Sequence, residues 1–185
     1  TNTILMIRPV QFRMNEQTAV NNYYQKILGD LSPSAINIRA VNEFNAFVDK
    51  LRAVGIQIIV MNDTQEFDTP DSIFPNNWIS FHNNGSIALY PMFAKNRRLE
   101  RKESILEGVE KKGFLINSVQ DYTNAEADSV FLEGTGSMVL DRENKIAYAC
   151  LSKRTDLGCF NEWCHIMSYK GVSFVAKDRG QNIYH

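Results

Sequence analysis

Asp71-Ser72-Ile73-Phe74 returns as Asp128-Ser129-Val130-Phe131, and the fold is read outward from this recurrence. Downstream, Ile87-Ala88-Leu89-Tyr90 resembles Ile146-Ala147-Tyr148-Ala149, Asn96-Arg97 aligns with Lys153-Arg154, and Lys112-Gly113-Phe114 aligns with Lys170-Gly171-Val172. The offsets stay between 57 (71 to 128) and 59 (87 to 146) residues. Several matches in one order at one spacing mark an internal repeat.

Each copy carries the same alternation of signals. In the first, a strand over 78–81 meets a second over 86–92 through Asn83-Asn84-Gly85, an Asn-Gly hairpin signal. A helix is expected over 99–111, ending at Gly113, and a further strand over 114–119. The second copy gives strands at 137–140 and 145–151 around a turn at 142–144, a helix over 156–168 and a strand over 172–176. The unit is ββαβ. The first segment fits more loosely, with strands at 3–8 and 56–61 and helices over 16–28 and 42–54. The units then run roughly 1–70, 71–127 and 128–181, with the start of another at 182–185. A ββαβ unit exposes too much apolar sheet to stand alone, so the expectation is one closed or partly closed repeat domain of the α/β class spanning 1–185.

Bulk properties narrow the function. Of 185 residues, 44% are hydrophobic and 22% charged, enough for one substantial core. The 20 Lys+Arg nearly cancel the 21 Asp+Glu, so no net field gathers nucleic acid or an anionic membrane. Arg8-Pro9 ends the apolar run Ile4–Ile7 long before a membrane span or signal-peptide core could form, and that run reads as a buried strand. Cys150, Cys159 and Cys164 have no framework spacing and read as reduced thiols of a cytoplasmic protein. Cys159, Cys164 and His165 lack a fourth ligand for zinc, so no metal is expected. Gly134-Thr135-Gly136 lacks the third glycine and the strand-to-helix setting of a dinucleotide loop, so no cofactor is expected either. His82 and His165 read as structural histidines.

The repeat also places polar residues in register. Aligning Asp71 with Asp128 sets Asn76 opposite Glu133, with Asn77 one residue beyond, and aligning Phe131 with Ile183 sets Glu133 opposite His185. Around a common axis, such positions would converge on one pocket. A carboxylate there suits a guanidinium, whose parallel N–H groups its two oxygens accept, and an imidazole can move a proton. Asp and Asn also favour turns and caps, and Arg97-Arg98 could simply open a charged helix, so the spacing by itself leaves both readings open.

The chain resembles the guanidino-modifying enzymes of the pentein group, which include arginine deiminases, dimethylarginine hydrolases, agmatine deiminases and amidinotransferases. Within them it is most similar to the citrulline-utilisation hydrolase, or amidinotransferase-like, branch. The phrases that carry the resemblance are Arg8-Pro9, Asn15-Glu16-Gln17-Thr18-Ala19-Val20-Asn21-Asn22, Phe74-Pro75-Asn76-Asn77-Trp78, Leu89-Tyr90-Pro91-Met92, Asn96-Arg97-Arg98-Leu99-Glu100-Arg101, Leu132-Glu133-Gly134-Thr135-Gly136-Ser137-Met138, Leu151-Ser152-Lys153-Arg154-Thr155-Asp156 and Ile183-Tyr184-His185.

The resemblance implies an α/β propeller, incomplete in this chain, and a hydrolase of non-peptide C–N bonds in arginine-like or citrulline-like amino acids. It implies that Glu133 binds the guanidino or ureido nitrogens, that His185 is the general acid/base, and that Arg154 holds the substrate's α-carboxylate. Arg97 or Arg98 would make a second carboxylate contact, and Asp71, Phe74 and Asn76 would line the substrate. Arginine deiminases carry an aspartate where this chain has Asn77; an amide both donates and accepts, which suits a neutral ureido group better than a guanidinium. The nucleophile would be a cysteine beyond His185. The partner implied is a small amino acid, with a homodimer as the candidate assembly. Amidino transfer and amino-acid binding without catalysis are the alternatives.

Overall fold

The computed structural model describes residues 2–20, 31–178 and 180–183, in two compact units formed by residues 1–75 with 99–115 and by 76–98 with 116–185. In the first unit, β1 (Thr3–Arg8) pairs in parallel with β2 (Gln57–Asn62), in the register Ile7↔Met61. Parallel neighbours require a crossover, supplied by α2 (Pro33–Ala53) after the short α1 (Glu16–Ala19). Ser32 caps α2 by accepting the Ala35 N–H at 3.2 Å, with Pro33 following it in the first turn. Its buried Phe44 and Val48 stand four residues apart on one face. The helix therefore begins nine residues before the expected 42, at a cap and proline signal that the sequence carries. Of the helix expected over 16–28, residues 21–28 lie outside the described residues.

α4 (Glu103–Glu110) completes this unit against β2, where Gly108 faces Met61 so closely that a Cβ would overlap the methionine's terminal atoms. The helix expected over 99–111 starts only at Glu103, after Lys102 at φ −106°, while the short α3 (Lys95–Arg98) lies outside the expected span and belongs to the second unit. Lys102 is committed elsewhere: its Nζ donates to Asp63 Oδ1 at 2.6 Å and to Thr64 Oγ1 at 2.8 Å. Gly113, at φ +90°, follows the end of α4 in the left-handed conformation, as expected of a C-terminal glycine.

The second unit holds two three-stranded sheets of one pattern. β3 (Ile79–Phe81) and β4 (Ser86–Leu89) are antiparallel, and β5 (Ser118–Asp121) lies parallel to β4. β6 (Met138–Asp141) and β7 (Ile146–Cys150) are antiparallel, and β8 (Lys170–Phe174) lies parallel to β7. The first hairpin turns through Gly85 at φ +79°, with Asn84 Oδ1 accepting the Ser86 N–H at 3.0 Å. The second turns through Lys145 at φ +56°, with Asp141 accepting the Asn144 N–H at 2.9 Å. The strand expected at 114–119 is displaced to 118–121, leaving Phe114 and Leu115 exposed. A two-stranded ribbon, β9 (Lys177–Asp178) with β10 (Gln181–Asn182), follows. Among the described residues no sheet closes on itself; the architecture is mixed α/β.

Between β7 and β8, Asp156 caps α6 (Leu157–Ile166) by accepting the Cys159 N–H at 2.9 Å. Phe160 and Trp163 from this helix are fully buried with Tyr90, Leu132, Met138, Ala147 and Ala149. β8 approaches the helix at Gly171, where a Cβ would stand 3.0 Å from Phe160 and 3.1 Å from the Cys164 sulfur. Ser80 Oγ lies 2.9 Å from His82 Nε2 and 2.7 Å from Tyr90 Oη. Burial, then the charges of Arg142 and Lys145, lower the His82 pKa to about 4.

In the first unit, burial alone would raise the Asp63 carboxyl, but bonds from Lys102 and Thr69 outweigh it and hold the group below the usual carboxylate range. The pair is 14% and 3% exposed on its two sides. Lys102→Ala leaves a buried carboxylate unpaired and is expected to destabilise the fold by about 3 kcal/mol at neutral pH. Because the folded-state value is lowered, the contribution is present at neutral pH and lost as pH falls through it. Urea melts of both proteins from pH 7 to pH 3 check this; a gap that stays constant with pH would refute it.

Candidate functional site

Glu133 sits in the second unit at 1% exposure, immediately before the one-turn helix α5 (Gly134–Ser137). An ionised carboxylate removed from water needs donors on both oxygens. Its Oε1 accepts the Phe93 N–H at 3.0 Å, and its Oε2 faces Arg154 Nη1 at 3.4 Å. Arg154 is as deeply buried, at 2%. Ser137 joins the two backbones, since its Oγ accepts the Glu133 N–H at 3.0 Å and donates to the Arg154 carbonyl at 2.9 Å. Bridges from Thr155 to Leu132 and to Ser152 fix the loop that carries Arg154.

A one-turn 3-10 helix, Pro75–Asn77, lies against α5. Gly134, at φ +46°, has no room for a Cβ beside the Asn76 carbonyl, and a Cβ on Gly136 would overlap the Asn77 side-chain amide. Thr135 Oγ1 donates to the Asn76 carbonyl at 3.4 Å. Asn77 is buried and Asn76 exposed. The two glycines that resembled a fragment of a dinucleotide loop therefore serve close packing.

Arg97 and Arg98 end α3. Arg97 is buried at 3%. Arg98 Nε donates to the Met92 carbonyl at 2.9 Å, Nη2 to the Phe93 carbonyl at 3.4 Å, and Nε lies 3.4 Å from Glu126 Oε2. The Phe93 and Phe131 rings meet edge to face at 5.4 Å, with Arg154 5.8 Å from the Phe93 ring and Arg98 5.8 Å from the Phe131 ring. Beside them opens a cavity of about 420 Å³ lined by Phe93, Phe131, Ser129, Ser152, Lys153 and Thr155, among others.

Asp71 and Phe74 belong to the first unit. Asp71 Oδ2 accepts from Asn15 Nδ2 at 2.8 Å and from Thr18 Oγ1 at 3.3 Å, which ties it to the start of α1. Phe74 is 46% exposed. His185 lies outside the described residues. The structure thus brings Asn76, Asn77, Glu133, Arg154 and Arg98 into one unit. Sequence reasoning missed Phe93 and Glu126: Phe93 contributes a backbone N–H, and Glu126 lies on a 3-10 helix, Thr123–Asp128, outside every motif that was singled out. Among the described residues no three His, Cys, Asp or Glu side chains gather as metal ligands, and no helix is long and apolar enough to cross a membrane.

The family model described as N,N dimethylarginine dimethylhydrolase, eukaryotic, matches residues 8–185. The chain belongs to this dimethylarginine dimethylhydrolase family. It therefore falls within the pentein superfamily of guanidino-modifying proteins, as the sequence resemblance implied. No curated protein matches it. Among solved structures, it is similar to the N-terminal domain of ArgZ, an arginine dihydrolase of the ornithine-ammonia cycle in cyanobacteria, as a substrate-bound cysteine-to-serine mutant. There the TM-score is 0.66 at 17% identity, over 97% of this chain and 60% of that one. A second form of that domain, an asparagine-to-serine mutant covalently bound to a reaction intermediate, gives 0.66 at 16%, over 97% and 60%. A cysteine-to-serine mutant of the dimethylarginine dimethylhydrolase from Pseudomonas aeruginosa, complexed with citrulline, gives 0.66 at 18%, over 95% and 61%. The chain spans about 60% of the length of these domains. At such identities the likeness is one of fold.

The cysteines stand apart from this cluster in chemistry. Cys150, Cys159 and Cys164 are buried and unbridged. Burial, then Asp156 and Glu162, push the Cys159 thiol up to about 12, and burial pushes Cys164 to about 11. Both should react with iodoacetamide at pH 8 at least about a hundredfold more slowly than an exposed cysteine, and at ordinary rates in denaturant. Mass spectrometry of the labelled peptides reads the outcome, and fast labelling in the native protein would contradict these assignments.

Proposed function

We propose that the protein is a hydrolase of the C–N bond in the guanidino or ureido group of a free amino acid, arginine-like or citrulline-like. The observation that carries this is Glu133, a buried carboxylate whose Oε2 accepts from a guanidinium. A substrate guanidinium or ureido group presents the same N–H chemistry. In this reading Glu133 orients the reacting nitrogens, Asn77 assists it with an amide, and His185 protonates the leaving amine and then activates water. Arg154 reaches the α-carboxylate, whose two oxygens match a planar guanidinium. Arg97 or Arg98 makes the second carboxylate contact, and Asn76 lines the substrate. The cavity beside Phe93 and Phe131 has the volume of a small-ligand pocket and presents Lys153 and hydroxyl groups to the amino-acid end.

The nucleophile is a cysteine thiolate outside these 185 residues, attacking the central carbon to give a covalent intermediate that water releases. Two features support this. Cys159 and Cys164 are poor thiolates, and relatives have been captured with substrate or citrulline as cysteine-to-serine mutants and, in another case, with a covalent intermediate. The two successive three-stranded sheets of the second unit are read as ββαβ units of a propeller in a cytoplasmic enzyme.

The full-length protein, assayed with citrulline, arginine, dimethylarginine and agmatine, should turn over at least one amino-acid substrate at a rate indifferent to added glycine. Asn77→Asp adds a charge beside the reacting group and should raise the preference for arginine over citrulline by about tenfold. Tight amino-acid binding without turnover would replace the hydrolase reading with a binding protein, and dependence on an added amine would replace it with a transferase.

A further inference from the structure

The segment Pro91-Met92-Phe93, which follows β4, has all its backbone polar groups engaged. Leu132 N–H donates to the Pro91 carbonyl at 3.2 Å. Met92 N–H goes to Glu126 Oε1 at 2.8 Å and Phe93 N–H to Glu133 Oε1 at 3.0 Å. Both remaining carbonyls, of Met92 and Phe93, accept from Arg98. Two carboxylates thus take two successive N–H groups, and each offers its second oxygen to an arginine, Glu126 to Arg98 and Glu133 to Arg154.

Glu126 is the residue on which this arrangement turns. Its side chain is 12% exposed and comes from the 3-10 helix that ends where Ser129 turns left-handed at φ +57°. One oxygen holds Met92 directly, while the other holds the arginine that grips both flanking carbonyls. Without it, a buried N–H loses its acceptor and Arg98 its counter-charge, so the backbone that presents Phe93 N–H to Glu133 loses its anchor.

We infer that Glu126 is a positioning residue for Glu133, acting through the Met92–Phe93 backbone and Arg98. The inference rests on the role proposed above for Glu133. It predicts a coupling that general stabilisation would not produce. In the full-length protein, calorimetry with arginine or citrulline should show Glu126→Ala weakening binding about tenfold and Glu133→Gln about a hundredfold. The double variant should bind no more weakly than Glu133→Gln to within about twofold, because one effect runs through the other. Amide exchange at Phe93 should quicken in Glu126→Ala. Glu126→Gln, which keeps an acceptor for Met92 N–H but loses the charge facing Arg98, serves the same cycle if the alanine variant does not fold.

A double variant about tenfold weaker than Glu133→Gln, or Glu126→Ala binding as tightly as the native protein, overturns the inference. If the native protein binds neither ligand, the functional reading fails instead. Phe93 exchange then decides the placement alone: loss of protection in Glu126→Ala upholds it, and unchanged protection overturns it.

Discussion

Burying an ionised carboxylate costs several kcal/mol unless donors replace the water it gives up, and much of the second unit is arranged to supply them to Glu133. The supply comes from three stretches of chain. β4 must end at Leu89, before Pro91, so that the Phe93 N–H reaches Glu133. The turn 133–137 must close so that Ser137 can bridge Glu133 and Arg154. The loop 151–156 must be held by its Thr155 bridges so that Arg154 stays inside. The aromatic pair Phe93–Phe131, flanked by guanidinium groups, gives these polar elements an apolar bed.

What the sequence revealed follows from the range over which each signal acts. Both hairpins are legible because Asn84-Gly85 and the Asp141–Asn144 turn are local, and the parallel third strand of each sheet follows from the intervening stretch of chain. The late start of α4 was not legible, because Lys102, just before it, is committed to Asp63, a residue 39 positions away in sequence. Ser32-Pro33 is a local start signal for α2 that the hydrophobic pattern from Asn42 onward obscured.

The site divides in the same way. Glu133 and Asn76–Asn77 could be matched by repeat register, and the structure does set the 3-10 turn 75–77 against α5. Phe93 acts through its backbone, and Glu126 acts on a backbone N–H 34 residues away, so neither leaves a residue-type pattern to detect. Asp71 belongs to the first unit, where its carboxylate accepts from Asn15 and Thr18 at the opening of α1.

His82 gives the second unit a character of its own towards acid. Lying beside Ser80 and Trp163, it is kept neutral, with its pKa lowered to about 4, whereas an unfolded chain takes up the same proton near 6.5. A base whose folded value is lowered withdraws stability as pH falls from 6.5 towards 4, and below that the loss is complete. Acidification therefore acts first as a gradual loosening of the hydrogen-bonded column Tyr90–Ser80–His82 inside the aromatic core.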